Sequence, residues 1–248
     1  MAKIICIDGR GSFYKKIAKS NQFSTHQVNF RRADIFINYG KTSWPAVDVN
    51  CYGKDIQKIN CIPFPNKYTA CMFIGNETDV AIPEVRLSPP YKKDKALWIV
   101  KPLRSFAGKN ISEWDGEKIP KEFYFQKRIQ NRRYELRVHA FSWMNPSNWI
   151  VQKRTHPDGD SQLTWNHHTG GYFTTIENGE GNTGVFKRAK ESAKKVIELL
   201  GYSFGAVDFI VSNDDKPLVP YFIEVNAAPG FSIEQMIDYY NNAFSLLK

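Results

Sequence analysis

Two acids lie deep in apolar sequence near the C-terminal end of a 248-residue chain. Asp208 belongs to Ala206-Val207-Asp208-Phe209-Ile210-Val211, and Glu224 to Tyr221-Phe222-Ile223-Glu224-Val225. Strand side chains alternate, so residues two apart share a face. Glu224 and Asn226 therefore point one way, and Tyr221, Ile223 and Val225 point the other, into apolar packing. Asp208 projects opposite to Val207 and Phe209. A polar turn, Asn213-Asp214-Asp215-Lys216-Pro217, joins the two segments as a hairpin and sets Asp208 opposite or diagonal to Glu224. Two carboxylates and a carboxamide within reach of one point suit Mg²⁺, which prefers a few carboxylates plus substrate phosphates. The plainer alternative is a pair of solvent-facing strand acids. Partly buried acids without a basic partner would be costly, and a divalent metal removes that cost.

Cations occupy the segments upstream. Lys101 ends the apolar run Trp98-Ile99-Val100, and Leu103 to Asn110 follow as a turn with one glycine. A strand-end lysine can reach polyphosphate oxygens while backbone N–H groups of the next turn bind the same phosphates, although such lysines are usually solvated. Residues 122–129 read as a buried strand that turns polar at Gln126-Lys127-Arg128. Alternation puts Glu135 and Arg137 on one face of the next strand, and Lys153-Arg154 close the one after it. Asn166-His167-His168-Thr169-Gly170-Gly171 follows. Adjacent residues diverge in direction, so His167 and His168 read as loop residues near a site and not as ligands. This basic set suits a negatively charged ligand; the alternative is a nucleic-acid surface with Tyr and Arg interleaved.

The elements that must position these groups belong to a globular chain. Hydrophobic residues make up 42% and aromatic residues 14% of it, which excludes disorder. No run approaches the roughly 20 apolar residues of a membrane span. The apolar run at residues 4–7 meets Asp8 at once and reads as a buried first strand, not a signal peptide. Cys6, Cys51, Cys61 and Cys71 lack CxxC spacing, so reduced structural thiols in a cytoplasm are expected. The net charge of +9 fits nucleic acid, a nucleotide or an acidic substrate alike.

Residues 1–65 read as a small α/β unit, with strands at 4–7 and 33–38 and a helix at 13–20. The turn Asp8-Gly9-Arg10-Gly11-Ser12 is no GxGxxG and indicates no dinucleotide site. Helix is expected within 67–73, and strands at 97–101, 122–129, 134–143 and 149–154. Residues 184–200 form the clearest helix, with Ala189, Ala193, Val196, Ile197 and Leu200 on one face, Lys190 on the rest and Gly201 as its stop. The hairpin at 205–212 and 218–226 and a last helix at 232–247 complete the chain.

Taken in order, these segments resemble the ATP-grasp superfamily, and most closely the glutamate ligase that modifies a ribosomal protein. The pattern runs from Lys101 through Phe125-Gln126-Lys127-Arg128-Ile129 to Glu135-Leu136-Arg137. It continues with Arg154, Asn166 through Gly171, Gly205-Ala206-Val207-Asp208 and Glu224-Val225-Asn226-Ala227-Ala228-Pro229-Gly230, so that it covers about residues 66–235. The resemblance implies an α+β chain: an ATP-grasp fold of two α+β lobes, about 66–129 and 130–248, preceded by an α/β N-terminal domain over 1–65. It implies that Lys67 and Lys101 bind ATP and that Gln126, Lys127, Arg128 and Ile129 form the hinge that receives adenine. Lys127 stands where many relatives carry an acid. Glu135 would bind the ribose hydroxyls, Arg137 and Arg154 would face the γ-phosphate, and Asn166 would join them in the catalytic set. Asp208, Glu224 and Asn226 would carry Mg²⁺, or Mn²⁺ in its place. The implied reaction joins a carboxylate to an amine of an amino acid, peptide or protein terminus through an acyl phosphate, releasing ADP and phosphate. The alternatives are an ATP-grasp kinase that phosphorylates a hydroxyl and a non-catalytic basic protein that binds nucleic acid.

Overall fold

The structure is a computed structural model that describes residues 4–25, 33–41, 56–62, 64–104, 109–176, 179–231 and 234–247. Cys51, residues 105–108 of the turn after Lys101, and residues 232–233 at the expected start of the last helix lie outside these. Among the described residues the strands form three sheets. Strands β1 (Ile5–Gly9), β2 (Ile35–Tyr39) and β3 (Gln57–Ile59) make a parallel sheet in that order. Parallel strands are covered on both faces, which is why β2 is buried at every position. Helix α1 (Phe13–Asn21) buries Ile17 and Ala18 on this sheet.

Helix α2 (Lys67–Glu77) leads into the second sheet, capped by the Asn66 side chain, which accepts from the Thr69 N–H at 2.9 Å. That sheet has the order β4 (Val85–Arg86), β7 (Phe123–Lys127), β5 (Trp98–Pro102), β6 (Ser112–Glu113). Trp98, Val100, Trp114 and Phe125 form a small core on one of its faces. Alternation turns Lys101 to the opposite face, where it meets Gln126.

The third sheet is antiparallel throughout, in the order β10 (Tyr172–Thr175), β9 (Ile150–Thr155), β8 (Arg132–Phe141), β11 (Phe204–Ser212), β12 (Pro220–Asn226). Val138, Val151, Val207 and Phe209 project from one face into the main core, where Ala189, Ala193, Val196 and Ile197 of α3 (Gly184–Leu199) meet them. Leu200 is only half-buried, and Lys190, expected among the polar residues, is buried. Its ammonium donates to the Ser147 carbonyl at 3.0 Å and to Asn182 Oδ1 at 2.8 Å, which satisfies the charge inside the core edge. Gly201 ends the helix in the left-handed conformation with φ +72°. Helix α4 (Glu234–Ser245) packs Met236, Tyr240, Ala243 and Phe244 into a second core shared with β1, β2, Phe141 and Phe204. Among the described residues no helix is long and apolar enough to cross a membrane.

Two features differ from the sequence expectations. Strands β3, β4, β6 and β10 are two to four residues long, too short for alternation to reveal them. A register shift between Asp208 and Phe209 pairs Asp208 with Glu224 but Phe209 with Phe222, so Ile223 is an extra residue in β12. This bulge reverses the expected alternation, because Phe222 enters the core while Ile223 lines the cavity described below and Tyr221 reaches Asp215. The turn over residues 8–12, which carries no dinucleotide fingerprint, reaches that same cavity through Arg10, Gly11 and Ser12.

The first sheet docks onto the third through side chains that satisfy backbone groups. Asn60 Oδ1 accepts from the N–H groups of Ser203 (2.7 Å) and Phe204 (3.2 Å), and its amide donates to the Phe204 carbonyl at 2.8 Å. The Tyr39 hydroxyl donates to the Pro229 carbonyl at 2.7 Å. Gly40 has φ +76°, and a Cβ there would lie 2.4 Å from Ala228 Cβ. Gly40→Ala is therefore expected to lose on the order of 2–4 kcal/mol in urea unfolding, from left-handed backbone strain plus overpacking. Gly159→Ala, at φ +54° with nothing within 4 Å, is expected to show only the strain, about 1–2 kcal/mol.

Candidate active site

The polar face of the third sheet looks into a cavity of about 1220 Å³, which the second sheet and the loops after β1 and β2 also line. Strand register sets one transverse row on this face: Glu224, Asp208, Arg137, Gln152 and Thr175, from β12 across to β10. The neighbouring row is Ile210, Glu135, Arg154 and Phe173. Asp208 thus lies directly opposite Glu224, and Glu135 and Arg137 share a face, as alternation predicts.

Each acid on this face holds a cation. Arg137 grips Asp208 with two bonds, Nε to Oδ1 and Nη2 to Oδ2, both 2.7 Å. Glu224 Oε2 lies 2.6 Å from Lys67 Nζ at the start of α2. Glu135 accepts from Arg132 Nη1 at 2.9 Å and from Arg154 Nη1 at 2.7 Å, one arginine on each oxygen. The Phe173 ring lies beneath the guanidinium groups of Arg137 and Arg154, at 4.9 and 4.2 Å. Burial works against the charge on Arg137, but the Asp208 carboxylate outweighs it and holds the group charged. Lys101 donates to Gln126 Oε1 at 3.0 Å; its burial, with Lys67 nearby, lowers its ammonium to about 8.

Twelve of the thirteen residues singled out in the sequence line this cavity: Lys67, Lys101, Gln126, Arg128, Ile129, Glu135, Arg137, Arg154, Asn166, Asp208, Glu224 and Asn226. The side chain of Lys127 does not. Strand alternation turns it away from Gln126, and it borders a separate cavity of about 340 Å³ with Glu84, Asp214, Asp215 and Tyr221. The backbone N–H groups of Lys127 and Arg128 already donate to the carbonyls of Glu84 and Leu97, both at 2.8 Å. Asn166 caps a turn of 3₁₀ helix over His167–Thr169, accepting from the Thr169 N–H at 3.1 Å. His167 and His168 are exposed at the rim with their rings perpendicular.

Other lining residues escaped the sequence reading. Arg132 is buried; it bonds Glu135 and the carbonyls of Gln162 (3.4 Å) and Leu163 (3.1 Å), and its guanidinium lies 4.6 Å from the Trp165 ring. No local signal separates it from the exposed Arg133 beside it. Phe173 escaped because β10 is too short to recognise. Gln152 precedes Arg154 by two residues, so alternation alone puts it on the same face.

Asp208, Glu224 and Asn226 form a hard-oxygen donor set. Asn226 Oδ1 accepts from the Ala228 N–H at 3.0 Å, which fixes the carboxamide near the end of β12. Among the described residues no three His, Cys, Asp or Glu side chains gather as a metal site. A cation here would take two carboxylates and a carboxamide, and would draw its remaining ligands from water or a bound phosphate. That incomplete oxygen shell fits Mg²⁺ and not a zinc-type site.

The two lobes, with this cleft between them behind a small α/β unit, are the ATP-grasp fold. Solved structures share it along nearly the whole chain. The ATP-grasp ligase PsnB, complexed with a phosphomimetic variant of its minimal precursor, Mg and ADP, superposes with a TM-score of 0.65 at 9% identity, covering 100% of this chain and 99% of that one. VanG D-Ala:D-Ser ligase from Enterococcus faecalis gives 0.63 at 14% identity, covering 98% and 100%. The macrocyclase MdnC from Microcystis aeruginosa MRC, bound with precursor peptide MdnA, gives 0.60 at 12% identity, covering 98% and 97%. No family model and no curated protein matches the sequence. At these identities the likeness is one of fold.

Behind the row, His139 is fully buried, with Nδ1 3.0 Å from the Tyr240 hydroxyl and Nε2 2.9 Å from Gln152 Oε1. Burial above all, and then the Arg137 charge, push it from 6.5 down to about 3. Unfolded His139 takes up a proton below its ordinary value, and the folded residue does so only near 3. Its contribution to stability is therefore present above about pH 6.5 and lost as pH falls through that window, by up to about 1.4 kcal/mol per pH unit. Urea unfolding between pH 7.5 and 4.5 is expected to show this slope, and His139→Asn to flatten it.

Proposed function

We propose that the chain is an ATP- and Mg²⁺-dependent ligase that joins a carboxylate to an amine through an acyl phosphate. The observation that carries this reading is the row Glu224–Asp208–Arg137, with Lys101 and Arg154 facing the same cavity: acids able to hold a metal on one side, cations on the other. Such a constellation suits a transferring γ-phosphoryl group, whose catalysis is mostly positioning and charge stabilisation. Among the ligases of like fold, PsnB is complexed with a precursor variant, Mg and ADP, and MdnC is bound with a precursor peptide.

In this reading, residues 1–65 form the N-terminal unit and 66–248 the ATP-grasp part, divided near 129. Lys67 and Lys101 hold the ATP phosphates, Lys101 becoming fully charged when they arrive. Ile129 and the main chain around it receive adenine, since the Lys127 and Arg128 amides are already bonded. Glu135 takes the ribose hydroxyls on its remaining lone pairs while it orients Arg154. Asp208, Glu224 and Asn226 hold Mg²⁺, or Mn²⁺, which supplies Lewis-acid neutralisation of phosphate charge. Arg137 and Arg154 steady the γ-phosphoryl group as a carboxylate oxygen of the substrate bonds to phosphorus and ADP departs. An amine of an amino acid, peptide or protein terminus then attacks the acyl carbon, and phosphate leaves. Asn166 joins Arg137 and Arg154 in the catalytic set, and closure of the small lobe over the cleft keeps water from the acyl phosphate. The nearer likeness to the glutamate ligase of a ribosomal protein rests on motif order alone.

The reaction class has a direct test. Amino acids and peptides that stimulate ADP release supply the substrate pair, and the carboxylate is then labelled with ¹⁸O. One label is expected in inorganic phosphate, with ADP as the nucleotide product and Glu224→Gln inactive but folded. Phosphate retained on an acceptor would mean a kinase, and no nucleotide turnover a binding protein. A second test concerns Lys101. Its lowered value means that ATP binding above about pH 8 takes up a proton, so affinity is expected to fall by up to about tenfold per pH unit above 8. Calorimetry in buffers of different ionisation enthalpy reads the uptake directly, and Lys101→Arg is expected to abolish it.

A further inference from the structure

We infer that Gln152 donates a hydrogen bond to the γ-phosphoryl group of bound nucleotide, and that His139 and Tyr240 are positioning residues that aim its carboxamide. The inference rests on the ATP-ligase reading above and adds a neutral donor to the cationic pair.

The direction of the chain follows from its buried end. Tyr240 is fully buried, and among the described residues its hydroxyl has one hydrogen-bond partner, His139 Nδ1. The hydroxyl hydrogen therefore goes to Nδ1, which must be the bare nitrogen. The ring proton is then on Nε2, which donates to Gln152 Oε1. The opposite tautomer would leave a buried hydroxyl hydrogen without an acceptor, the costlier arrangement. Burial keeps the ring neutral, so one nitrogen accepts and the other donates. The carboxamide oxygen of Gln152 is thereby fixed inward, and its NH₂ is left to face the cavity that Gln152 lines. Among the described residues that NH₂ has no protein acceptor.

Its place points to the ligand. Gln152 is in register with Arg137 across the β8–β9 pair, and Arg154 follows it by two residues on the same face. The three groups make a donor surface. On the other side of Arg137, in the same row, stand Asp208 and Glu224. A group held between metal acids and N–H donors carries anionic oxygens on both sides, as a phosphoryl group does. The amide adds a directed hydrogen bond without adding charge.

The test compares dissociation constants of MgAMPPNP and MgADP, whose ratio isolates the γ-phosphoryl contact. Gln152→Leu is expected to weaken MgAMPPNP by about tenfold or more and leave MgADP unchanged. Gln152→Glu is expected to weaken it further by charge repulsion. Tyr240→Phe removes the hydroxyl hydrogen, frees His139 to change tautomer, and is expected to reproduce part of the loss although it lies outside the cavity. A merely structural role for Tyr240 would lower thermal stability and leave the ratio alone. Histidine ¹⁵N NMR is expected to show the proton on Nε2 in the wild-type protein and a changed tautomer in Tyr240→Phe. An unmoved ratio in folded Gln152→Leu overturns the assignment of Gln152 while the ligase reading stands. A proton on Nδ1 in the wild type overturns the positioning pair. A wild-type protein that binds neither nucleotide overturns the ligase reading and this inference with it.

Discussion

The two 2.7 Å bonds between Arg137 and Asp208 join neighbouring strands on a face that is otherwise hard to keep charged. Breaking a buried pair of this kind leaves an uncompensated charge, so neither residue can be lost without consequence for the other. Everything else on the face is arranged around that constraint. The acids next to the pair have cations of their own, and two of those cations come from other elements. Lys67 at the start of α2 reaches Glu224 on β12, and Arg132 and Arg154 close on Glu135. Charge balance therefore ties α2 to the large sheet.

The same balance leaves the cleft ready for anions. The cations are held by acids and by the Phe173 ring, which limits their side-chain freedom before any ligand arrives. Lys101 is the exception, because it meets a neutral carboxamide and burial lowers it to about 8. A ligand bearing negative charge restores the proton that burial disfavours. Behind this face, Val138, Val151 and Val207 bind the sheet to α3, so the row of polar groups rests on a packed layer.

The loops after β1 and β2 of the N-terminal sheet complete the cavity from a second direction. The sheet's contacts with the segment after Asn226 are backbone-directed: the Tyr39 hydroxyl on the Pro229 carbonyl, and Gly40 against Ala228. That segment begins where Asn226 bonds the Ala228 N–H, so the position of the proposed metal carboxamide and the docking of the first sheet are set together.

Alternation along a strand depends on covalent geometry alone, and what it controls could be read from the sequence. It paired Asp208 with Glu224 through the hairpin and put Glu135 and Arg137 on one face, and the 3.6-residue helical period likewise put the Ala189, Ala193, Val196 and Ile197 stripe on the core side of its helix. The order of those segments was enough to point to the ATP-grasp fold. What lay beyond the sequence depends on contacts between residues far apart in the chain. The Lys67–Glu224 pair, the Arg154–Glu135 pair, and the bulge that turns Ile223 to the cavity and Phe222 to the core are set by packing and register. So is the chain from Tyr240 through His139 to Gln152, whose ends are 88 residues apart. Local propensity is blind to such contacts, because each exists only once several elements have been brought together and their buried polar atoms must find partners.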